Sequence, residues 1–126
     1  MKIRCIKMLN LSGEEVNSSR WIAIGNIYHV MSILFEPDGR RSYGIVTDKF
    51  ADEWPSLRSF PAECFEIVST VVPSNWQVWI HADSKVIGIS PASWQCENFE
   101  EKFYNHDSRA YPTFEHERQI VIDEDL

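Results

Sequence analysis

Few side chains in this chain could do covalent or proton-transfer chemistry: three cysteines and four histidines among 126 residues. A thiolate–imidazole pair made from Cys64 or Cys96 with His29 or His81 would be a nucleophile. The three cysteines, Cys5, Cys64 and Cys96, lie far apart, however, and Cys5 and Cys64 sit in apolar-rich runs. Core thiols and half-exposed strand histidines are the simpler reading. No Gly-x-Ser-x-Gly is present. His106-Asp107 and Glu115-His116-Glu117 gather imidazoles and carboxylates, which suit zinc or iron, but their spacing matches no compact metal site. A glycine-rich phosphate loop is missing too. The sequence therefore predicts no catalytic residue, no metal and no cofactor.

What stands out instead is the mixture of rings and acids in the last third. Trp94, Phe99, Phe103, Tyr104, Tyr111 and Phe114 are interleaved with Glu97, Glu100, Glu101, Asp107, Glu115 and Glu117. Phe99 and Phe103 read as core. Trp94, Tyr104 and Tyr111 are open between core filling and interface anchoring, a role that Trp and Tyr favour. Residues 1–96 carry ten acidic and nine basic side chains, whereas residues 97–126 carry nine acidic and three basic, so nearly all of the net charge of −7 lies in the last 30 residues. Such a field repels phosphates and anionic lipid and attracts a basic partner. Asp123, Glu124 and Asp125 read as a solvated acidic tail.

The apolar fraction of 44% is enough for one ordinary domain without disulfides or metal. No apolar run is long enough to cross a bilayer. An odd cysteine count without CxxC spacing fits a reducing compartment, and Met1–Met8 has no continuous apolar stretch, so the expected location is the cytoplasm.

The elements that must carry these residues are short strands. Residues 3–9 alternate as a first strand, and Asn10–Arg20 reads as an exposed loop. Ile24-Gly25-Asn26 is a turn before a strand from Ile27 to Phe35. Glu36-Pro37-Asp38-Gly39 turns it back into Ser42–Thr47, which makes a hairpin. Asp48–Ser59 reads as a loop, and Phe60–Val68 holds a strand. Trp76–Ala82 and Val86–Ile89 form a second hairpin, ended by Pro91. Phe99 and Phe103, at i and i+4, mark a short helix over Asn98–Asn105. Pro112 reads as a break, and Gln119–Ile122 as a terminal strand. The prediction is a single domain over 1–126, mainly β. It is a twisted antiparallel sheet or SH3-like half-barrel with one or two short C-terminal helices.

Two stretches carry likenesses. Ile24-Gly25-Asn26-Ile27-Tyr28-His29-Val30, then Tyr43-Gly44-Ile45-Val46-Thr47-Asp48, then Phe65-Glu66-Ile67-Val68, resemble the small SH3-like β-barrels of bacterial and phage proteins. Their pattern is Gly-Lys-x-Tyr-x-Val, Tyr-x-Ile-x-Asp-Asp-x-Gly and a closing Phe-x-Ile/Val. Here Asn26 stands for the Lys, and no glycine follows Asp48. This likeness covers residues 1–70. Residues 73–124 are similar to the end of bacterial immunity proteins of contact-dependent growth inhibition, through Trp76, Pro91, Trp94, Phe99, Phe103 and Ala110. That resemblance implies a cytoplasmic, non-enzymatic protein that neutralises a toxic effector such as a nuclease. The partner-binding residues expected on the chain are Trp94, Glu97, Glu100, Glu101, Tyr104, Asp107, Tyr111, Glu115 and Glu117. The expected partner is a basic toxin domain, with no nucleic acid or membrane, and the chain itself is a monomer or weak homodimer. An SH3-like adaptor or phage accessory module, binding a peptide through Asn10–Arg20 and Asp48–Ser59, is the alternative.

Overall fold

The computed structural model describes residues 1–19, 21–47, 56–95 and 99–126. Strand β1 (Lys2–Cys5) buries Ile3 and Cys5 on alternate positions. The first strand stops earlier than its alternation predicts. The amides of Ile6 and Lys7 donate to the Cys64 carbonyl, which pulls the backbone out of the ladder. Beyond it, β2 (Met8–Leu9), at the end of the stretch read as the first strand, makes a small hairpin with β3 (Glu15–Val16), which lies inside the expected loop. Asn10 closes that hairpin, its Oδ1 accepting from the amides of Ser12 and Glu14.

The stretch read as one strand, 27–35, is two: β4 (Ile27–His29) and β5 (Ser32–Phe35). The Val30 amide donates to Met1 O and the next amide, of Met31, donates to Gly44 O. Consecutive residues thus serve different sheets. Strand β6 (Arg41–Val46) completes the first hairpin with β5, around a turn in which Gly39 takes φ of 92°. Strand β7 (Leu57–Pro61) follows, and its first three residues correct the expected loop. Leu57, Arg58 and Ser59 pair with Val46, Ile45 and Gly44 at a sheet edge, where polar residues are tolerated. A 3-10 turn, Ala62–Cys64, leads into β8 (Phe65–Ser69). The second hairpin is β9 (Trp76–Ile80) with β10 (Ile87–Pro91).

The protein is mainly β. All pairings are antiparallel, in one sheet of order β4-β1-β8, another of order β7-β6-β5-β10-β9, and the two-stranded β2-β3. Two helices follow, α1 (Phe99–Tyr104) and α2 (Ala110–Asp123). Helix α2 overturns both the break at Pro112 and the strand at 119–122. Pro112 lies in its first turn, where an amide has no intrahelical acceptor to lose. The inward residues Ala110, Phe114 and Val121 follow a helical period that a short window over Gln119–Ile122 does not show. No helix among the described residues is long and apolar enough to cross a membrane.

Two clusters hold these layers. Ile3, Tyr28, Val30, Ile33, Tyr43, Ile45 and Phe65 fill one, together with Cys5 and Cys64. Met31, Trp94, Phe99, Phe103, Ala110, Phe114 and Val121 fill the other, against Val46 and Leu57. Phe114 is fully buried, with its ring centroid 4.3 Å from that of Phe103 and 4.9 Å from that of Trp94.

The segment that follows α2 is clasped to the rest of the fold, which corrects the solvated reading for Glu124 and Asp125, while Asp123 stays exposed. The Asp125 carboxylate lies 2.9 Å from the Met1 ammonium and accepts from Ser69 Oγ at 2.6 Å. The Asp125 carbonyl is 2.8 Å from His29 Nε2, and Lys2 Nζ donates to Leu126 O at 2.8 Å. Glu124 accepts from the Ser74 amide at 2.7 Å. Burial pushes the Asp125 carboxyl up, but the Ser69 hydroxyl, the N-terminal ammonium and Lys2 outweigh it and hold it below its usual range.

Phe114→Ala is expected to cost about 3–5 kcal/mol, read from denaturant midpoints. Asp125→Asn should lower the thermal midpoint at pH 7. A carboxyl held low in the folded state stabilises above its unfolded pKa and loses that effect as pH falls through the folded value. The gap between wild type and variant should therefore close as the pH drops below about 3.8.

Candidate functional site

Helix α1 turns Phe99 and Phe103 inward and leaves Glu100, Glu101 and Tyr104 exposed. Between these residues and the five-stranded sheet lies a groove of about 630 Å³. Strand alternation decides what reaches it. Ile33, Tyr43 and Ile45 point into the inter-sheet cluster, so Ser32 and Leu34 of β5, Ser59 of β7 and Ser90 of β10 take the groove side. The result is a floor of small hydroxyls under aromatic walls.

Trp79 forms one wall. It pairs with Gly88 across the β9–β10 hairpin, and a Cβ at Gly88 would stand 2.2 Å from the Trp79 ring. The glycine lets the indole lie down on the sheet. Tyr104 forms the opposite rim, its hydroxyl donating to Leu57 O at 3.3 Å and tying α1 to β7. Burial, and then the neighbouring Glu100 charge, push the Tyr104 phenol up, so at neutral pH it remains a donor. His81 also lines the groove, but its Nδ1 accepts from the Ser84 amide at 3.1 Å within its own turn.

Eight of the nine expected binding residues are described, and they do not form one surface. Trp94 is only 6% exposed, stacked between Phe99 and Phe114 at interplanar angles of 5° and 9°, so its ring belongs to the helix core. Its indole N–H is buried and unpartnered. Glu97, like Cys96, lies outside the described residues. Asp107 is gripped by Arg109, whose Nη2 donates at 2.8 Å and whose amide donates at 2.9 Å. Those bonds hold its carboxyl down to about 2. Glu115 pairs with Arg118 at 3.2 Å, and Glu117 accepts from Asn75 Nδ2 at 2.8 Å. Tyr111 stands 37% exposed in the first turn of α2. Glu100 and Glu101 make no ion pair among the described residues and flank the groove with Tyr104. Ser32, Ser59 and Ser90 were not legible as site residues. The one available signal was the register of two hairpins, which places small residues in a row.

Catalytic and metal chemistry find little here. Cys5 and Cys64 are buried, and burial pushes both thiols up, away from thiolate character. His29 is engaged by the Asp125 carbonyl, not by a thiol. Among the described residues, no three of His, Cys, Asp and Glu come together as a metal-binding group.

No family model, curated protein or solved structure matches this chain.

Gly88→Val is expected to lift Trp79 off the sheet. The check is the Trp79 indole proton resonance, which should shift and gain access to a soluble quencher while β-sheet circular dichroism is retained.

Proposed function

We propose that this chain is a non-enzymatic binding protein, an immunity protein of the cytoplasm that neutralises a basic toxic effector. One observation carries the reading. Of the carboxylates crowded into the last third, Asp107, Glu115, Glu117, Glu124 and Asp125 have intramolecular partners, whereas Glu100 and Glu101 face solvent beside Tyr104 on a groove rim. Nuclease active sites must be basic to hold phosphate. An acidic rim with an amphipathic ring at its centre has the charge to draw such a surface in and the apolar area to keep it. Free, buried Cys5 and Cys64 agree with a reducing compartment.

The test is calorimetric and stopped-flow titration against the toxic domain encoded directly upstream. Tight one-to-one binding that weakens with salt is expected. Glu100→Lys with Glu101→Lys should slow association by about tenfold or more at low ionic strength. Association that is unchanged in the double variant would overturn the role of this rim.

A second reading, an SH3-like adaptor, is favoured by the strand order: β1 lies between β4 and β8, the chain bends from β4 into β5, and a 3-10 turn precedes β8. Its binding loops would be the β2–β3 hairpin, where Leu11 is fully exposed, and the region after β6, most of which lies outside the described residues. Leu11→Ser weakening binding while the α1 double variant does not would select it.

A further inference from the structure

Among the described residues, the two larger sheets end in four edge strands, β4, β8, β7 and β9, and three of them are blunted. Strand β4 has only three residues. Strand β8 carries Glu66, ion-paired to Arg4 at 2.7 Å, and its register with β1 shifts at Lys2/Ile3. On β7, Pro61 has no amide proton, and the Leu57 carbonyl already accepts from Tyr104. These are the usual protections against adding another strand. Strand β9 is protected only at its start, where the Trp76 amide donates to Pro73 O at 3.3 Å. Trp76-Gln77-Val78-Trp79-Ile80 contains no charge, proline or glycine, and it ends the five-stranded sheet.

The geometry of that edge is fixed by its inner neighbour. The His81 amide donates to Val86 O at 2.9 Å, so residues 81 and 86 occupy a hydrogen-bonded position of the ladder. The register then gives the same status to Trp79 with Gly88 and to Gln77 with Ser90. The main-chain groups of Val78 and Ile80 therefore point outward, and among the described residues no strand meets them. On the sheet face opposite Trp79, Val78 is 63% exposed, Ile80 70% and Ile87 40%. An unpaired edge beside an exposed β-branched face fits an extended strand.

We infer that β9 pairs with β9 of a second copy, antiparallel about a two-fold axis through Val78, joining two five-stranded sheets into one of ten. Two features select this occupant. The whole hairpin from 76 to 91 holds one Asp and one Lys, Asp83 and Lys85, and so is neutral in a chain of net charge −7. It is a region where two acidic copies can meet without like charges opposed, and it offers no charge with which to choose a basic partner. The strand is also self-complementary. With Val78 opposite Val78, the amide and carbonyl of each bond the other. Each Ile80 lies opposite Trp76, its amide donating to the Trp76 carbonyl. That face then carries an exposed Val–Val pair flanked on each side by Ile80 against Trp76, whose ring is half-buried against the inter-sheet cluster, and β-branched and aromatic pairs of this kind stabilise antiparallel ladders. This contact is separate from the α1 rim and needs no toxic partner for its test.

Sedimentation equilibrium of the full chain over a wide concentration range should show a monomer–dimer equilibrium. Val78→Lys sets two ammonium groups opposite each other on an exposed position, and should raise the dissociation constant at least about tenfold with circular dichroism unchanged and with melting unchanged at concentrations where the wild type is monomeric. Mild oxidation should cross-link Val78→Cys across the axis and leave Gln77→Cys, on the other face, uncross-linked beyond wild type. The cross-link also decides the matter if the lysine variant fails to fold. A monomer at all concentrations, a dimer indifferent to Val78→Lys, or a Val78 amide protected from exchange only when a basic partner is added would each overturn the inference.

Discussion

Two neighbouring amides organise this molecule. Val30 donates to Met1 and belongs to the inter-sheet cluster, whereas Met31 donates to Gly44 and belongs to the helix cluster. Both are buried, at 0% and 2% exposure, on opposite sides of the chain. The corner therefore fixes the angle between the sheets, and it decides which face of the larger sheet the helices cover. The groove follows from the same corner. Once Ile33, Tyr43 and Ile45 face the first cluster, the hydroxyls of Ser32, Ser59 and Ser90 have to face α1. A polar group at residue 30 or 31 would leave a hydrogen-bonding atom buried in one of the clusters.

The hairpins were legible because two local signals agree in each. Alternation in Ser42–Thr47 and Trp76–Ala82 is bounded by turn residues, and the structure pairs β5 with β6 and β9 with β10 as that pattern requires. The corner was not legible, since two adjacent apolar residues extend an apolar run as readily as they mark a change of face. Only the partners, Met1 and Gly44, distinguish the cases, and they are remote in sequence. Helix α2 was hidden by reading Pro112 without its position. Proline stops a helix from inside but not from the first turn.

The acidic third shows the same limit for function. Its composition announces a field, but which charges remain available depends on distant neighbours. Asn75 reaches Glu117 across 42 positions, and Ser74 reaches Glu124 across 50. No window as short as a strand or a helix contains both members of either pair. The burial of Trp94 likewise depends on α2, because Phe114 on that helix supplies the ring that stacks on it. What could be read locally is the inward turn of Phe99 and Phe103, and with it the outward turn of Glu100 and Glu101, because the i, i+4 pattern of one short helix separates an inner from an outer face.

The clasp between Asp125 and Met1 has a consequence for how the chain is made. Lys2 meets Leu126 across 124 positions, so this contact closes a very long loop. As synthesis runs from β1 towards α2, β1 can pair with β4 and β8 before α2 is available, but the positive charges beside β1 meet Asp125 only after α2 has been made. An opening of the segment after α2 would therefore uncover the Met1 ammonium, His29 and Ser69 together while leaving the strand pairings of β1 in place.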